Sequence, residues 1–196
     1  MSTETDVANL AAARIGSETR ISSLDDDRPL ARTLKAVWSI ERRATIRAGA
    51  WNFAARRGAL AQLADLTAAE TYPYAAAFEM PSDALRLLEV LDPVARDDYQ
   101  REGKRVLCNV SGPLYARWLI DVPEASNWDD DFAEAFACRL AWKCGRKIYG
   151  GDFDDVKAWK EFEAAISKAA GADAMENPPI EQEESDWILA RLGGRI

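Results

Sequence analysis

Between Trp128 and Tyr149 apolar residues return at every fourth position. Phe132, Phe136, Leu140, Cys144 and Ile148 form one stripe, while Asp131, Glu134, Arg139 and Lys147 fall off it. This spacing predicts a helix with one side on a core. Ser126 or Asn127 stands where an N-cap is expected, and Asp129, Asp130 and Asp131 put negative charge in the first turn, where the helix dipole favours it. Gly150 and Gly151 permit the positive-φ turn that ends the helix. From Asp152 to Ala170 the pattern resumes with Val156, Trp159, Phe162, Ile166 and Ala169, and Gly171 is the expected stop. The two segments predict a helical hairpin, the longest regular unit of the chain.

Two further helices precede it. The first is expected from Asp6 to Ile15, with Val7, Leu10, Ala11 and Ile15 on its apolar face and Gly16 as its C-terminal stop. The second follows Asp25-Asp26-Asp27, an acidic start with Pro29 in the first turn, and runs through Leu30, Leu34, Val37, Trp38 and Glu41 to Ala48. Its other face carries Arg42, Arg43 and Arg47. Such a cluster suits a phosphate site, but alternation with Asp25, Asp26, Asp27 and Glu41 reads better as a solvated or interface face.

After Gly49-Ala50 the texture changes to short strands and turns up to about Val122. Phe78-Glu79-Met80 ends at Pro81, and Leu85 to Leu91 is apolar on both faces. Tyr99 to Leu107 reads as a hairpin turning at Glu102-Gly103-Lys104, and Leu114 to Asp121 alternates as a strand. Beyond Gly171, Asn177-Pro178-Pro179 excludes helix, and Ser185 can cap a last short helix carrying Trp187, Ile188 and Leu192. An arm with exposed apolar residues of this kind suits a binding segment. The expected fold class is therefore α+β, mostly α: a helical bundle with an inserted small antiparallel β subdomain and an extended C-terminal arm. In residue ranges, 1–50 supplies the N-terminal helices of the bundle, 51–124 the β-rich subdomain, 125–171 the hairpin that completes the bundle, and 172–196 the arm.

Composition narrows the function. With 196 residues, 48% of them hydrophobic, the chain can bury a core. No run of about 18 apolar residues predicts a membrane span, and the acidic start Met1-Ser-Thr-Glu-Thr-Asp lacks the order of a signal peptide, so synthesis in a cytoplasm is expected. Cys138 and Cys144 lie roughly opposite on one helix; with Cys108 they are expected as buried free thiols. The net charge of −8 argues against gripping nucleic-acid phosphates, though an acidic surface suits a channel through which DNA slides. The absence of His removes the commonest general base and metal nitrogen. No Gly-rich phosphate loop is present, and the acidic clusters sit at expected helix starts, which accounts for them without catalysis. No catalytic residue, cofactor or metal is expected.

Several motifs in order carry a resemblance. Val7-Ala-Asn-Leu-Ala-Ala-Ala-Arg-Ile-Gly16 and Ile21-Ser-Ser-Leu-Asp25 open the chain; Trp51-Asn-Phe-Ala-Ala-Arg-Arg57 follows a helix. Tyr74 to Phe78 runs into Met80-Pro-Ser-Asp-Ala-Leu-Arg86, and after the Gly103 hairpin come Phe132-Ala-Glu-Ala-Phe-Ala-Cys-Arg139 and Ser185-Asp-Trp187…Arg191. In this order the chain resembles the tail tubular protein A, or head-to-tail adaptor, family of short-tailed phages, with a departure at Gly49-Ala50. The resemblance implies a non-enzymatic virion protein at the head–tail junction. It would form a ring of copies, a dodecamer, between the portal protein and the tail nozzle protein, with DNA passing through without specific binding. It further suggests Trp187, Ile188, Arg191 and Leu192 as portal anchors, and Arg42, Arg43, Trp51, Phe53, Arg56 and Arg57 as the inter-subunit or nozzle interface. Two other classes remain open: a carboxylate-dependent cell-wall glycan hydrolase, and a helical interaction module unrelated to virions.

Overall fold

The structure, a computed structural model, describes residues 2–176. Its fold class is α+β, mostly α, with five helices and a six-stranded antiparallel sheet.

Helix α1 (Glu4–Ile15) begins two residues before the apolar periodicity does, because Thr3 and Asp6 form a capping box. The Asp6 amide donates to the Thr3 hydroxyl (3.1 Å), and the Thr3 amide donates to the Asp6 carboxylate (3.0 Å). The Thr3 hydroxyl, which also donates to Asp6, holds that carboxyl below its ordinary range. Gly16, at φ +85°, ends the helix as expected. The buried face is Val7, Ala8, Ala11, Ala12 and Ile15; Leu10, expected on it, is exposed. The three alanines keep that face flat enough for α1 to lie close on the central helix.

Helix α2 (Pro29–Ala48) starts on Pro29, with Arg28 at the N-cap and the three Asp residues before the helix rather than in its first turn. Helix α4 (Asp130–Tyr149) touches α1, α2 and α5 (Asp155–Glu176) and is buried on most of its circumference. Besides the expected stripe it buries Ala133, Ala135, Ala137 and Ala141, small residues that admit neighbours on several sides. Its N-cap is Asp129. Ser126 and Asn127, the expected caps, belong instead to a 3-10 turn over Ala125–Asn127.

Gly150, at φ +106°, turns the chain towards α5. Phe153 in that turn packs against α4 at Gly145, where a Cβ would lie 2.1 Å from the ring. Two expectations for α5 are corrected. Val156 is exposed because the face on α4 is instead Ala158, Phe162 and Ala169, and the helix passes through Gly171 to Glu176. One glycine costs a helix interior only about 1 kcal/mol relative to alanine, too little to end it here.

At the centre of the bundle Phe132 meets Trp51, Phe53 and Trp128 edge-on at centroid distances of 5.0, 4.9 and 5.3 Å and stacks on Phe136 at 5.9 Å. Trp38 meets Phe136 edge-on at 4.9 Å.

The sheet is curled, in the order β3-β6-β1-β2-β5-β4. Its strands are β1 (Ala55–Gln62), β2 (Ala76–Glu79), β3 (Ala84–Val90), β4 (Tyr99–Glu102), β5 (Arg105–Cys108) and β6 (Leu114–Ile120), with a four-residue helix α3 (Ala68–Thr71) between β1 and β2. Strand β1 joins the two halves: Ala55 to Leu60 pair with β6, and Ala61 and Gln62 pair with β2. Inside the curl Leu60, Phe78, Met80, Val106, Leu114 and Trp118 form a second core, while Leu119 on the other side of β6 belongs to the bundle core. The expected hairpin is β4–β5, turning at Gly103 with φ +58°.

Phe132→Ala is expected to cost about 3–5 kcal/mol, since it empties the place where five rings meet. Urea unfolding of the variant should show a lower midpoint at an unchanged slope; a change within about 0.5 kcal/mol, the value of a surface site, would refute the central role given to this ring.

Candidate functional site

Arginines hold bundle and sheet together. Arg42 on α2 donates through Nε and Nη2 to both carboxylate oxygens of Asp121, just after β6, at 2.9 and 2.8 Å. Its side chain is only 9% exposed, and that of Asp121 23%. Five residues later the Arg47 guanidinium donates to the Leu85 carbonyl of β3 (2.7 Å). From the opposite direction Arg86 of β3 donates to the carbonyls of Arg47 and Gly49 (2.7 and 3.2 Å), satisfying the open end of α2. Beside this joint Trp51 is buried, its indole N–H donating to the Thr45 carbonyl at 3.0 Å. A Cβ at Gly49 would lie 2.7 Å from the Trp51 ring, so the chain passes there only because residue 49 has no side chain.

The residues suggested as an inter-subunit or nozzle interface thus divide. Arg42 and Trp51 are corrected: both are committed to the interior, one by a bidentate ion pair and the other by ring packing, and neither has surface to offer a neighbour. Phe53 is half-buried against Phe132. Arg43, Arg56 and Arg57 are exposed. Arg56 donates to the carbonyls of Phe53 and Ala55 (3.2 and 2.9 Å). Arg57 stands in a cross-strand row with Arg117 and Glu89, the latter two joined at 2.9 Å. Trp187, Ile188, Arg191 and Leu192 lie outside the described residues. The basic face of α2 read from the sequence is therefore neither a phosphate site nor wholly solvated: two of its three arginines fasten the sheet.

The carboxylate clusters have structural partners. Asp25 pairs with Lys35 (2.5 Å), Asp27 with Arg32 (3.0 Å) and Asp26 with Arg28 (3.6 Å). Asp131 pairs with Lys168 (3.1 Å) in a network with Glu134, which also takes Arg14 at 2.9 Å and so ties α1, α4 and α5. The hydrogen bond to Asp131 leads the causes that raise the Lys168 pKa. Its stabilising effect is present at neutral pH and fades only as pH rises through that raised value. Among the described residues no group of three or more His, Cys, Asp or Glu side chains could hold a metal, and no helix is long and apolar enough to cross a membrane.

Deeper in the bundle, Arg139 donates to Glu41 at 2.6 Å, both groups largely buried. All three cysteines are buried and free. Burial raises each thiol, that of Cys144 to about 11.

Large apolar side chains reach solvent at Tyr72, Val94 and Tyr115 on the β subdomain and at Ile40, Tyr149, Val156 and Trp159 on the bundle. The sequence did not single out the first three: an isolated Tyr or Val in a loop or alternating strand carries no signal of its own.

No family model matches the chain, and no curated protein matches it.

Two outcomes test the joint and the thiols. Arg42→Met should lower stability by about 2–4 kcal/mol, somewhat under the cost of breaking a fully buried pair because Asp121 keeps some solvent. The double variant R42M/D121L should recover much of that loss; a cycle in which the two losses simply add would deny the coupling. A thiol reagent at pH 8 should leave the folded protein unmodified and react with three thiols per chain in denaturant. Rapid labelling of the native state would contradict the burial of the cysteines.

Proposed function

We propose that this chain is a head-to-tail adaptor subunit of a short-tailed phage, one copy of a ring that joins the portal to the tail nozzle and continues the DNA channel. The observation that carries the reading is the ordered set of motifs from Val7 to Arg191, which spans most of the chain. The geometry lends support. A ring built from one kind of subunit needs two different faces held in a constant relation, because each cyclic contact joins unlike surfaces. The bidentate Arg42–Asp121 pair and the Arg86 contacts to the end of α2 hold bundle and sheet in such a relation.

On this reading the β subdomain meets the next subunit or the nozzle through exposed residues of the sheet and its loops. Arg56 and Arg57, with Tyr72 and Tyr115, are exposed side chains it offers, and Arg43 adds an exposed cation from α2 of the bundle. Residues 177–196 form the portal-docking arm, with Trp187, Ile188, Arg191 and Leu192 as anchors, the residue types that dominate interface energies being Trp and Arg. The net charge of −8 suits a wall past which DNA slides.

Native mass spectrometry of the purified chain, alone and mixed with the candidate portal ring, tests this. A free chain that is monomeric or weakly associated should add a full ring of copies to the portal. A chain ending at Glu176 should remain folded and fail to attach. A full-length chain that ignores the portal would sink the adaptor reading; undiminished attachment of the shortened chain would sink only the role of the arm.

A further inference from the structure

Along most of its length β1 is paired on one edge alone. Residues 55–60 face β6 on one side, but on the other β2 takes up only Ala61 and Gln62. The cause lies in β2. That strand ends at Glu79, and Pro81 has no amide hydrogen to offer a ladder. The chain after it is drawn away from β1: the Met80 amide donates to the Lys104 carbonyl (2.8 Å), and the Lys104 ammonium donates to the Ser82 carbonyl (2.9 Å). A cleft of about 420 Å³ opens where the strands part, with Ala59, Leu60 and Ala61 on one wall and Glu79, Pro81 and Ser82 on the other.

One hydrogen bond fixes the direction of the backbone groups. The Leu63 amide donates to the Ala77 carbonyl of β2 (2.9 Å). Backbone N–H and C=O groups alternate sides along a strand, so Arg57 and Ala59 turn theirs the same way as Leu63, towards the cleft. No strand among the described residues stands opposite them there, and both residues are exposed. An edge of this kind is a place where a further strand can add.

The sheet has two outer edges as well, β3 and β4. That of β3 is interrupted by two register shifts, and Arg47 occupies its Leu85 carbonyl. That of β4 is regular, pairing with β5 without a shift, and is largely exposed. Residues 97–102 carry Asp97, Asp98 and Glu102 against Arg101, a net charge of −2, whereas Arg56 and Arg57 give residues 55–59 a net +2. Among the described residues none of these six groups belongs to an ion pair; Arg56 and Arg101 donate to backbone carbonyls alone.

We propose that β4 of one molecule adds to the open edge of β1 in a second copy of this chain. The acidic, regular edge meets the basic, unpartnered one, and main-chain hydrogen bonds join them over the four residues of β4. The two edges are different surfaces of the same chain, so the contact is heterologous and each joined pair keeps one free edge of either kind. So short a ladder makes a weak link. Within the adaptor reading it names the contact between neighbouring subunits, but it stands on the two edges and their charges alone.

The test is amide hydrogen exchange and sedimentation of the full chain from about 10 μM to about 1 mM, a range that brackets weak association. Mass should rise with concentration, and the amides of Arg57 and Ala59 should gain protection severalfold, while that of Leu60, which faces β6, keeps its own. Ala59→Pro removes one donor at an edge position that β6 does not use. Its circular dichroism should match that of the native chain, and its dissociation constant should rise about tenfold, the loss of one hydrogen bond. Arg57→Glu and Glu102→Lys should each weaken association alone and associate again when mixed, since each variant supplies the edge that the other lacks. A chain that stays monomeric to the highest concentration would overturn the proposal, as would association that leaves the Arg57 and Ala59 amides unprotected. Failure of the mixed variants to associate would remove β4 as the occupant. The portal is absent throughout, so none of these results bears on attachment to it.

Discussion

The ion pair between Arg42 and Asp121 is the constraint on which the shape of this protein depends. A helical bundle and a curled sheet, each with its own apolar core, would otherwise meet over a modest surface around Leu85, Leu88, Leu119 and Ile120. Burying a guanidinium there is tolerable because both oxygens of one carboxylate accept its protons in the planar fork that arginine favours. Hydrophobic contact alone would bring the two bodies together without fixing their angle. The directional bonds of Arg42, Arg47 and Arg86 select one arrangement among several of similar apolar burial.

The same logic appears inside the bundle in a different material. Six aromatic rings from α2, α4 and the segments beside them interlock with mostly edge-to-face geometry around Phe132 and Phe136. Alanines on α1 and α4 fill the remaining contacts, so large rings occupy one end of the core while small side chains let the helices approach elsewhere. The Glu41–Arg139 pair adds a buried charged link between α2 and α4, with Phe162 and Trp142 beneath the guanidinium.

Much of this was legible in the residues. The four long helices, the hairpin around Gly103 and the strand from Leu114 follow from periodicity and turn chemistry, and the cysteines were placed correctly as buried thiols. Strand β1 escaped individual recognition because Ala-Arg-Arg-Gly-Ala-Leu-Ala-Gln lacks the branched and aromatic residues that favour strands; pairing with β6 imposes the extended form. Arg42 and Trp51 were read as surface residues for related reasons. An arginine beside other arginines looks solvated until a carboxylate 79 positions later closes on it, and a Trp after Gly-Ala looks like a loop residue until Phe132 is seen to cover it. Periodicity locates a helix face but not which of two borderline residues lies inside, hence the exposure of Leu10 and Val156. The exposed Tyr72, after α3, and Tyr115, on β6, could not be distinguished by any spacing rule.

The chain crosses from bundle to sheet through β1 and returns through β6, and these two strands are hydrogen-bonded neighbours with Ala55 opposite Leu119. Entry and exit of the whole β subdomain therefore lie about 5 Å apart, the spacing of a paired residue on adjacent strands. A segment inserted between two such close points asks of its host only that these two crossings, and the contacts of β3 with α2, stay in place. Among the described residues β2, β4 and β5 carry no hydrogen bond to α2 and can therefore change length without moving either crossing, whereas β3 is held to α2 by Leu85 and Arg86.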